Sequence, residues 1–373
     1  MKLEQKQWTG SWAPSATSTL GESADLVFVF GGTTPLKDEN LLREIREMYP
    51  KAYQFGCSTS GEISGTTIRD DTLSLVAICF ERTTIRHAQV KLTSMEESFQ
   101  AGQTVAKKLD PAGLRHVLVM SVGLNVNGAE LVRGLTTALP PHVSLSGGLA
   151  GDKERFQETL VLSDGVASGD TIAVVGFYGD HIHIGSASLG GWDPFGPERL
   201  VSKSSGNILY ELDGQSALSL YKSYLGKHAV DLPASALQFP LFLRRNEGDD
   251  PVVRTILAID EEAQSMVLAG DLPEGAFVRM MKTNLDRLVE GAKGAAEKST
   301  ADKPELALLI SCVGRRMVLK QRAEEEVENV RAVFGEDTLL TGFYSYGEIS
   351  PITPLAKCDL HNQTMTITTF SER

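Results

Sequence analysis

Three stretches of the chain repeat one pattern of apolar and polar positions. Leu26–Phe30 (LVFVF) is a continuous apolar run, residues 39–48 carry apolar side chains at Leu42, Ile45 and Met48, and residues 53–55 lead into a glycine. The second stretch runs 117–122 (VLVMSV), 129–139 and 143–145; the third runs 306–312, 323–334 and 338–340. A short unbroken apolar run bounded by turn residues reads as a strand buried on both faces. Apolar side chains three and four apart read as a helix with one buried stripe. Each stretch therefore predicts a β-α-β unit with parallel strands and a right-handed crossover.

The loops that close these units share a phrase. Gly56-Cys57-Ser58-Thr59-Ser60-Gly61-Glu62-Ile63-Ser64 returns near the C-terminus as Gly342-Phe343-Tyr344-Ser345-Tyr346-Gly347-Glu348-Ile349-Ser350. A looser copy, Leu145-Ser146-Gly147-Gly148-Leu149-Ala150-Gly151-Asp152, closes the second unit. In a β-α-β unit both strands end at one edge. The loop 31–34 is expected beside 56–64, 123–128 beside 147–152, and 313–316 beside 342–350, with Arg315 or Arg316 near Glu348. Ligands of open α/β sheets bind at such an edge.

Elsewhere the pattern changes. Residues 1–23 are rich in Ser, Thr, Pro and Gly and read as a flexible arm, with Trp8 and Trp12 able to dock. Residues 171–178 and 182–185 read as paired strands, 190–196 (GGWDPFG) as a turn cluster, and 213–224 as a helix. After Pro233, short strands at 239–244, 252–259, 266–269 and 276–280 with intervening turns predict an antiparallel meander. Residues 284–298 follow as an amphipathic helix and 299–304 as a linker. The expected class is α/β with mixed α+β character: repeated β-α-β units with Gly-Glu loops, plus the meander. The expected division is an arm (1–23), an N-terminal domain (24–225) and a C-terminal domain (226–373).

The net charge of −12 disfavours nonspecific binding to nucleic acid or anionic membranes. No apolar stretch has transmembrane length and the polar start lacks a secretory core, so a cytoplasmic protein is expected. Cys57, Cys79, Cys312 and Cys358 form no C-x-x-C pair, which suits reduced thiols and gives no zinc framework.

Catalytic signatures are missing: no phosphate-binding G-x-x-x-x-G-K-[ST], no dinucleotide G-x-G-x-x-G after a strand, no G-x-S-x-G elbow and no H-E-x-x-H. A nucleophilic Cys57 served by His361 is disfavoured because the second copy has Phe343 in its place. The chain is accordingly expected not to be an enzyme. Glu62 and Glu348 are a repeat-related pair that can hold an amine or, alternatively, cap their own turns. Arg315 can hold a carboxylate bidentately, Tyr344 and Tyr346 add aromatic surface with hydroxyls, and the Gly147–Asp152 loop, through Gly148 and Asp152, can cradle an anion.

The order GCSTSGEISG, SGGLAGD, GWDPFG, FPLFL, Arg254-Thr255-Ile256, SCVGRR, GFYSYGEISP and HNQTMTI resembles the FIST family, with its FIST-N and FIST-C domains, over nearly the whole chain. The resemblance implies a sensory module for small ligands, amino acids being one proposed class. It also implies a signalling partner such as a histidine kinase or a cyclic-dinucleotide protein. Some stand-alone members are haem-containing nitric-oxide sensors, which makes haem b a candidate cofactor with a histidine as its axial ligand. His228, in a loop near the domain boundary, is the first candidate, then His361 and His183; no C-x-x-C-H allows covalent attachment. Repeated loops and resemblance together predict that Gly61, Glu62, Arg315, Tyr344, Gly347, Glu348, His361 and Asn362 cluster around one cleft between the domains.

Overall fold

The computed structural model describes every residue except 300–301, which fall in the expected linker, and 354–355. The three expected units are present. The parallel pairs are Leu26–Gly31 with Tyr53–Ser58, Leu114–Ser121 with Ser144–Leu149, and Leu306–Cys312 with Leu339–Ser345. Their crossover helices are Glu39–Met48, Gly128–Ala138 and Ala323–Phe334. The first helix starts where the Asp38 carboxylate caps the Asn40 and Leu41 N–H groups, and it buries Leu41, Leu42, Ile45 and Met48. Each pair gains an antiparallel return strand: Leu73–Cys79, Thr171–Tyr178 and Met365–Glu372.

The units then exchange strands in rotation. The short strand after each glycine loop leaves its own sheet. Glu62–Ser64 of the first unit pairs with Leu339–Ser345 of the third, Gly347–Pro351 of the third pairs with Ser144–Leu149 of the second, and Val161–Ser163 of the second pairs with Tyr53–Ser58 of the first. The strand after each return strand is also lent. Thr84–Lys91 goes to the second sheet and Ile182–Leu189 to the third. The corresponding place in the first sheet is filled by Lys2–Trp8, which pairs with Leu73–Cys79. These residues were expected to be part of a flexible arm. They are ordered because an edge of the first sheet lacks a partner that its two counterparts already have.

Three six- or seven-stranded sheets thus enclose one core. Aromatic side chains of all three units meet there: Phe30 stacks on Phe343 at 4.8 Å, and Phe370 lies 5.4 Å from Phe177 and 6.3 Å from Phe28. The repeated glycines Gly56, Gly147 and Gly342 sit where a Cβ would overlap the carbonyl oxygen of Val29, Val119 and Leu309 respectively. The phrase is repeated because all three parallel pairs need the same close backbone approach.

The strands expected as a meander form an antiparallel sheet of another order, with Phe277–Lys282 beside Leu241–Arg244 and Asp193–Ser205, and this sheet is an insert in the third sheet's connection. Its strands run from Asp193–Ser205 to Phe277–Lys282 and have their own apolar core around Val201, Leu209, Tyr221, Met266 and Val278. The expected boundary near residue 226 falls inside this insert, just after helix Ala217–Leu225. The part of the chain beyond the insert returns to the ring.

Candidate functional site

At one pole of the ring the three glycine loops meet in a cycle of backbone hydrogen bonds. Ser60 N–H donates to Tyr344 O (2.8 Å), Gly151 N–H to Ser58 O (2.9 Å) and Tyr346 N–H to Leu149 O (3.2 Å). The loops converge as the repeat implied, but their acids do different work. Glu62 lies opposite Phe343 and Glu348 opposite Gly148, at matching registers in two different sheets; Val161 takes this place in the remaining one, opposite Cys57. Each Glu is fully buried. Glu62 accepts from the Thr59 hydroxyl and from Thr72 N–H (3.0 Å) and Oγ1 (2.7 Å). Glu348 accepts from Ser345 Oγ (2.7 Å) and from Thr364 N–H (3.2 Å) and Oγ1 (3.0 Å). Burial pushes Glu62 up to about 7 and Glu348 up to about 8, against these hydrogen bonds. Asp152 is no third member of the set: it caps the N–H groups of Phe156, Gln157 and Glu158 and accepts from the Tyr346 hydroxyl.

The other expected site residues are distributed as follows. Arg315 is fully buried and bonded through Nε to Glu326 (2.7 Å), with its other nitrogens on the carbonyls of Gly190 and Leu288. It is therefore committed to the core and not open to a ligand carboxylate. Tyr344 is buried with its hydroxyl on Glu326 (2.7 Å), and Tyr346 stacks on Phe156 at 4.6 Å. Arg316, the neighbour of Arg315, reaches the loop instead. It pairs bidentately with Asp70 (2.7 and 2.9 Å), donates to Ser60 O (2.6 Å), and occupies the space a Cβ on Gly61 would need. Lys153 pairs with Asp71 (2.6 Å). A cleft of about 470 Å³ opens here between Ser60, Asp70, Lys153, Glu154, Arg316 and Lys320. Arg316, Lys153, Asp70 and Asp71 are paired with one another across the units and clasp the pole.

A second cleft of about 510 Å³ has a different balance. It lies where the insert meets the ring. Helix Gly128–Ala138 gives Glu130, Arg133 and Thr136; the insert gives Ser204, Arg245, Asp271 and Glu274; and the strand Cys358–His361 with its approach gives Lys357, Cys358 and Asp359. Asn127 joins the two bodies. Its side-chain oxygen caps the helix at Glu130 N–H (3.0 Å) while Nδ2 donates to the Asp271 carboxylate (3.1 and 3.2 Å).

Beneath the cleft lies Arg254, wholly buried at the end of strand Val252–Arg254. Nη1 donates to Leu360 O (2.9 Å) and Val253 O (3.2 Å), and Nε to Asp271 O (3.4 Å). Nη2 has no hydrogen-bond partner and stands 3.9 Å from Asp359 Oδ1. Gly270 makes room for it, since a Cβ there would lie 2.9 Å from Nε. Burial lowers the Arg254 guanidinium to about 10, only partly offset by Asp359. Burial alone would raise the Asp359 carboxyl, but the bidentate bond from Arg245 and the charge of Arg254 hold it below its usual range.

Around this floor, Arg133 is taken by Glu130 and Arg245 by Asp359. Lys357 makes no ion pair among the described residues, and the hydrogen bonds to the Asp271 and Glu274 carboxylates come from neutral donors, Asn127 and Ser204 N–H, with Arg133, Arg245 and Arg254 acting on the Asp271 carboxylate only through space. Charges of both signs thus remain available in one cleft. Three more buried polar atoms without partners, Thr255 Oγ1, Asn362 Oδ1 and Gln363 Oε1, flank the same seam in sequence. Unsatisfied polar atoms are rare in a folded interior and call for a water or a ligand. Of the expected residues, His361 and Asn362 belong to this seam. His361 is buried, its Nε2 is 2.9 Å from Ser350 O, and burial lowers it to about 4. Arg254 appeared in sequence only as part of a resemblance block. The signal was there: an arginine closing the apolar Val252-Val253 pair.

The histidines proposed for haem do not assemble a site. His183 is exposed, His228 is half-buried against Phe239 at 5.5 Å, and His361 is engaged as described; none lines either cleft. Among the described residues no group of three or more His, Cys, Asp or Glu is placed to hold a metal ion. No helix among them is long and apolar enough to cross a membrane.

Comparison with known proteins adds the following. Family models described as the FIST N domain and the FIST C domain match residues 25–215 and 217–351. An uncharacterized protein of Methanocaldococcus jannaschii is 21% identical over 344 residues, covering 84% of this chain and 65% of that protein. The chain therefore spans a little under two thirds of that relative. Among solved structures, cyanuric acid hydrolase from A. caulinodans aligns over 100% of this chain and 98% of its own at 8% identity and a TM-score of 0.37. A chorismatase aligns over 99% and 98% at 9% identity and a TM-score of 0.34. These neighbours are enzymes, so the expectation that the chain is not an enzyme is withdrawn. At such TM-scores the likeness assigns no activity to this chain either.

Proposed function

The chain belongs to the FIST family, whose domains are sensory domains of signalling proteins that bind small ligands, and from that premise we propose that its ligand occupies the cleft between the insert and helix Gly128–Ala138. The ligand is a small zwitterion, of which free amino acids are the simplest class. Its carboxylate would take Lys357, with the buried Arg254 guanidinium behind Asp359 adding positive charge to the floor; its ammonium would take Asp271 and Glu274. The observation that carries this reading is a cleft in which Lys357 makes no ion pair among the described residues and the Asp271 and Glu274 carboxylates accept only neutral hydrogen-bond donors.

The cleft has one wall on the ring and one on the insert, so occupancy would fix the angle between them. That angle is the quantity a partner such as a histidine kinase or a cyclic-dinucleotide protein would read. Haem and nitric oxide do not enter the proposal, since nothing in the placement of His183, His228 or His361 favours them. The test is isothermal titration calorimetry with a panel of amino acids, paired with thermal unfolding. A ligand present at a hundredfold excess over Kd should stabilise the protein by about 2.7 kcal/mol. Asp271→Asn and Lys357→Ala should each weaken binding at least about tenfold, the effect of losing one charge-assisted hydrogen bond worth roughly 1.5–3 kcal/mol. Binding that survives both substitutions unchanged would refute the assignment.

A further inference from the structure

The charged cleft does not end at Thr136. Thr136, Lys357 and Cys358 also line a neighbouring cavity of about 370 Å³, so the two adjoin along helix Gly128–Ala138. The lining changes character across this border. On the far side it is Leu139, Pro140, Val143, Leu145, Pro351 and Ala356, with Lys357 at the junction and the exposed His142 at the rim. Leu139 and Leu145 are buried in the ring's core on one side and present the cavity's wall on the other. From Ala129 at the charged end to Leu139 at the apolar end is about 15 Å of chain at 1.5 Å per residue, the last residue lying just past the helix. Both volumes fall within the usual range of small-molecule sites, about 300–1,000 Å³.

We propose that the ligand carries an unbranched apolar tail of several carbons behind its charged head. The head lies over Arg254, and the tail passes Thr136 into the cavity walled by Leu139, Val143, Leu145 and Pro351. This rests on the proposed use of the charged cleft and adds the selectivity of that site. A zwitterion without a tail would fill only the polar end and leave apolar wall in contact with water. A tail would exclude that water, and a purely apolar molecule would leave the charges at the floor unmet.

The test is a calorimetric series of straight-chain 2-amino acids: alanine, norvaline, norleucine and 2-aminooctanoate. Affinity is expected to rise about fourfold for each added methylene, the factor equivalent to about 0.8 kcal/mol per buried CH₂. Thr136→Trp, at the border, is expected to abolish the rise for the longer members, because the indole fills the way between the two lined spaces. Val143→Glu, at the apolar end, provides the same discrimination by charge and guards against misfolding of the Trp variant; melting temperatures of both are read alongside. A wild-type affinity that is flat or falls along the series overturns the tail and leaves the charged cleft standing. Failure of every member to bind overturns the cleft as well. A rise that Thr136→Trp and Val143→Glu both leave intact, in folded protein, also overturns the route past Thr136.

Discussion

Replacing Glu326 by Ala would test whether Arg315 is a core residue, as its contacts state, or a ligand-binding one, as its place in the sequence had suggested. Glu326 is fully buried and accepts three side-chain hydrogen bonds: Arg315 Nε at 2.7 Å, Tyr344 OH at 2.7 Å and Ser311 Oγ at 3.0 Å. Leaving a buried guanidinium without its carboxylate costs about 3–5 kcal/mol, and stranding the Tyr344 and Ser311 hydroxyls adds about 1 kcal/mol each. A loss of about 5 kcal/mol consumes a large part of a typical stability of roughly 5–15 kcal/mol. The double variant Arg315→Met/Glu326→Leu removes both charges and should recover part of that loss. The recovery is incomplete because the carbonyls of Gly190 and Leu288 lose their donors. Equilibrium urea unfolding of Arg315→Met, Glu326→Leu and the double variant gives the coupling, expected at about 2–3 kcal/mol. A coupling below about 0.5 kcal/mol would refute the buried pair. So would an Arg315→Met protein of wild-type stability that has lost amino-acid binding.

Other outcomes follow from the same contacts. Glu62 and Glu348 titrate near 7 and 8 in the folded protein, above a free carboxyl, so the folded state holds protons that the unfolded state releases. Their contribution is complete below about pH 4.3 and is lost as pH rises through 7 to 8; urea midpoints across pH 5–8 should fall less steeply in Glu62→Gln and Glu348→Gln than in the wild type. His361, lowered to about 4, acts in the opposite sense: its contribution is present above about 6.5 and is lost as pH falls through 4, which His361→Gln should remove. Gly56→Ala drives a methyl into Val29 O and should cost about 3 kcal/mol or more, or prevent soluble expression. Asn127→Asp keeps the helix cap but faces Asp271 with a like charge, so it should change ligand affinity more than unfolding free energy, by calorimetry against urea melts.

The three β-α-β units were legible because buried parallel strands leave unbroken apolar runs, and because Gly56, Gly147 and Gly342 answer the same close approach. The helix 323–334 was read to its exact ends and 129–139 to within one residue at each end. What could not be read is which sheet a short strand joins. Glu62–Ser64 has the same residues whether it pairs at home or with the third unit, since backbone hydrogen bonds carry no mark of their partner. The N-terminal strand was hidden for a related reason: Lys2–Trp8 is polar and half-exposed, and only the vacant edge at Leu73–Cys79 explains its order. The convergence of the Gly-Glu loops was foreseeable, but the partners of Glu62, Glu348 and Arg315 were not. Those depend on hydroxyls and a carboxylate brought in by tertiary contact. The charged cleft was missed because Arg133, Arg254, Asp271 and Lys357 lie far apart in the chain, and only Arg254 stands in one of the blocks that carry the family resemblance.

The rotation of borrowed strands has a topological consequence. Lys2–Trp8 stands to Met365–Glu372 as Thr84–Lys91 stands to Leu73–Cys79, each being the strand lent onward after a return strand. The Met1 amine lies 3.5 Å from the Glu372 carboxylate, so the two chain ends meet at this join. Where the polypeptide happens to be open is then arbitrary with respect to the ring. A circular permutant, its old ends tied by a short linker and its new ones placed at the turn 179–181, should recover the same three sheets. Cutting the chain in two at residue 216 should not, because each fragment would keep sheets whose missing strands reside in the other.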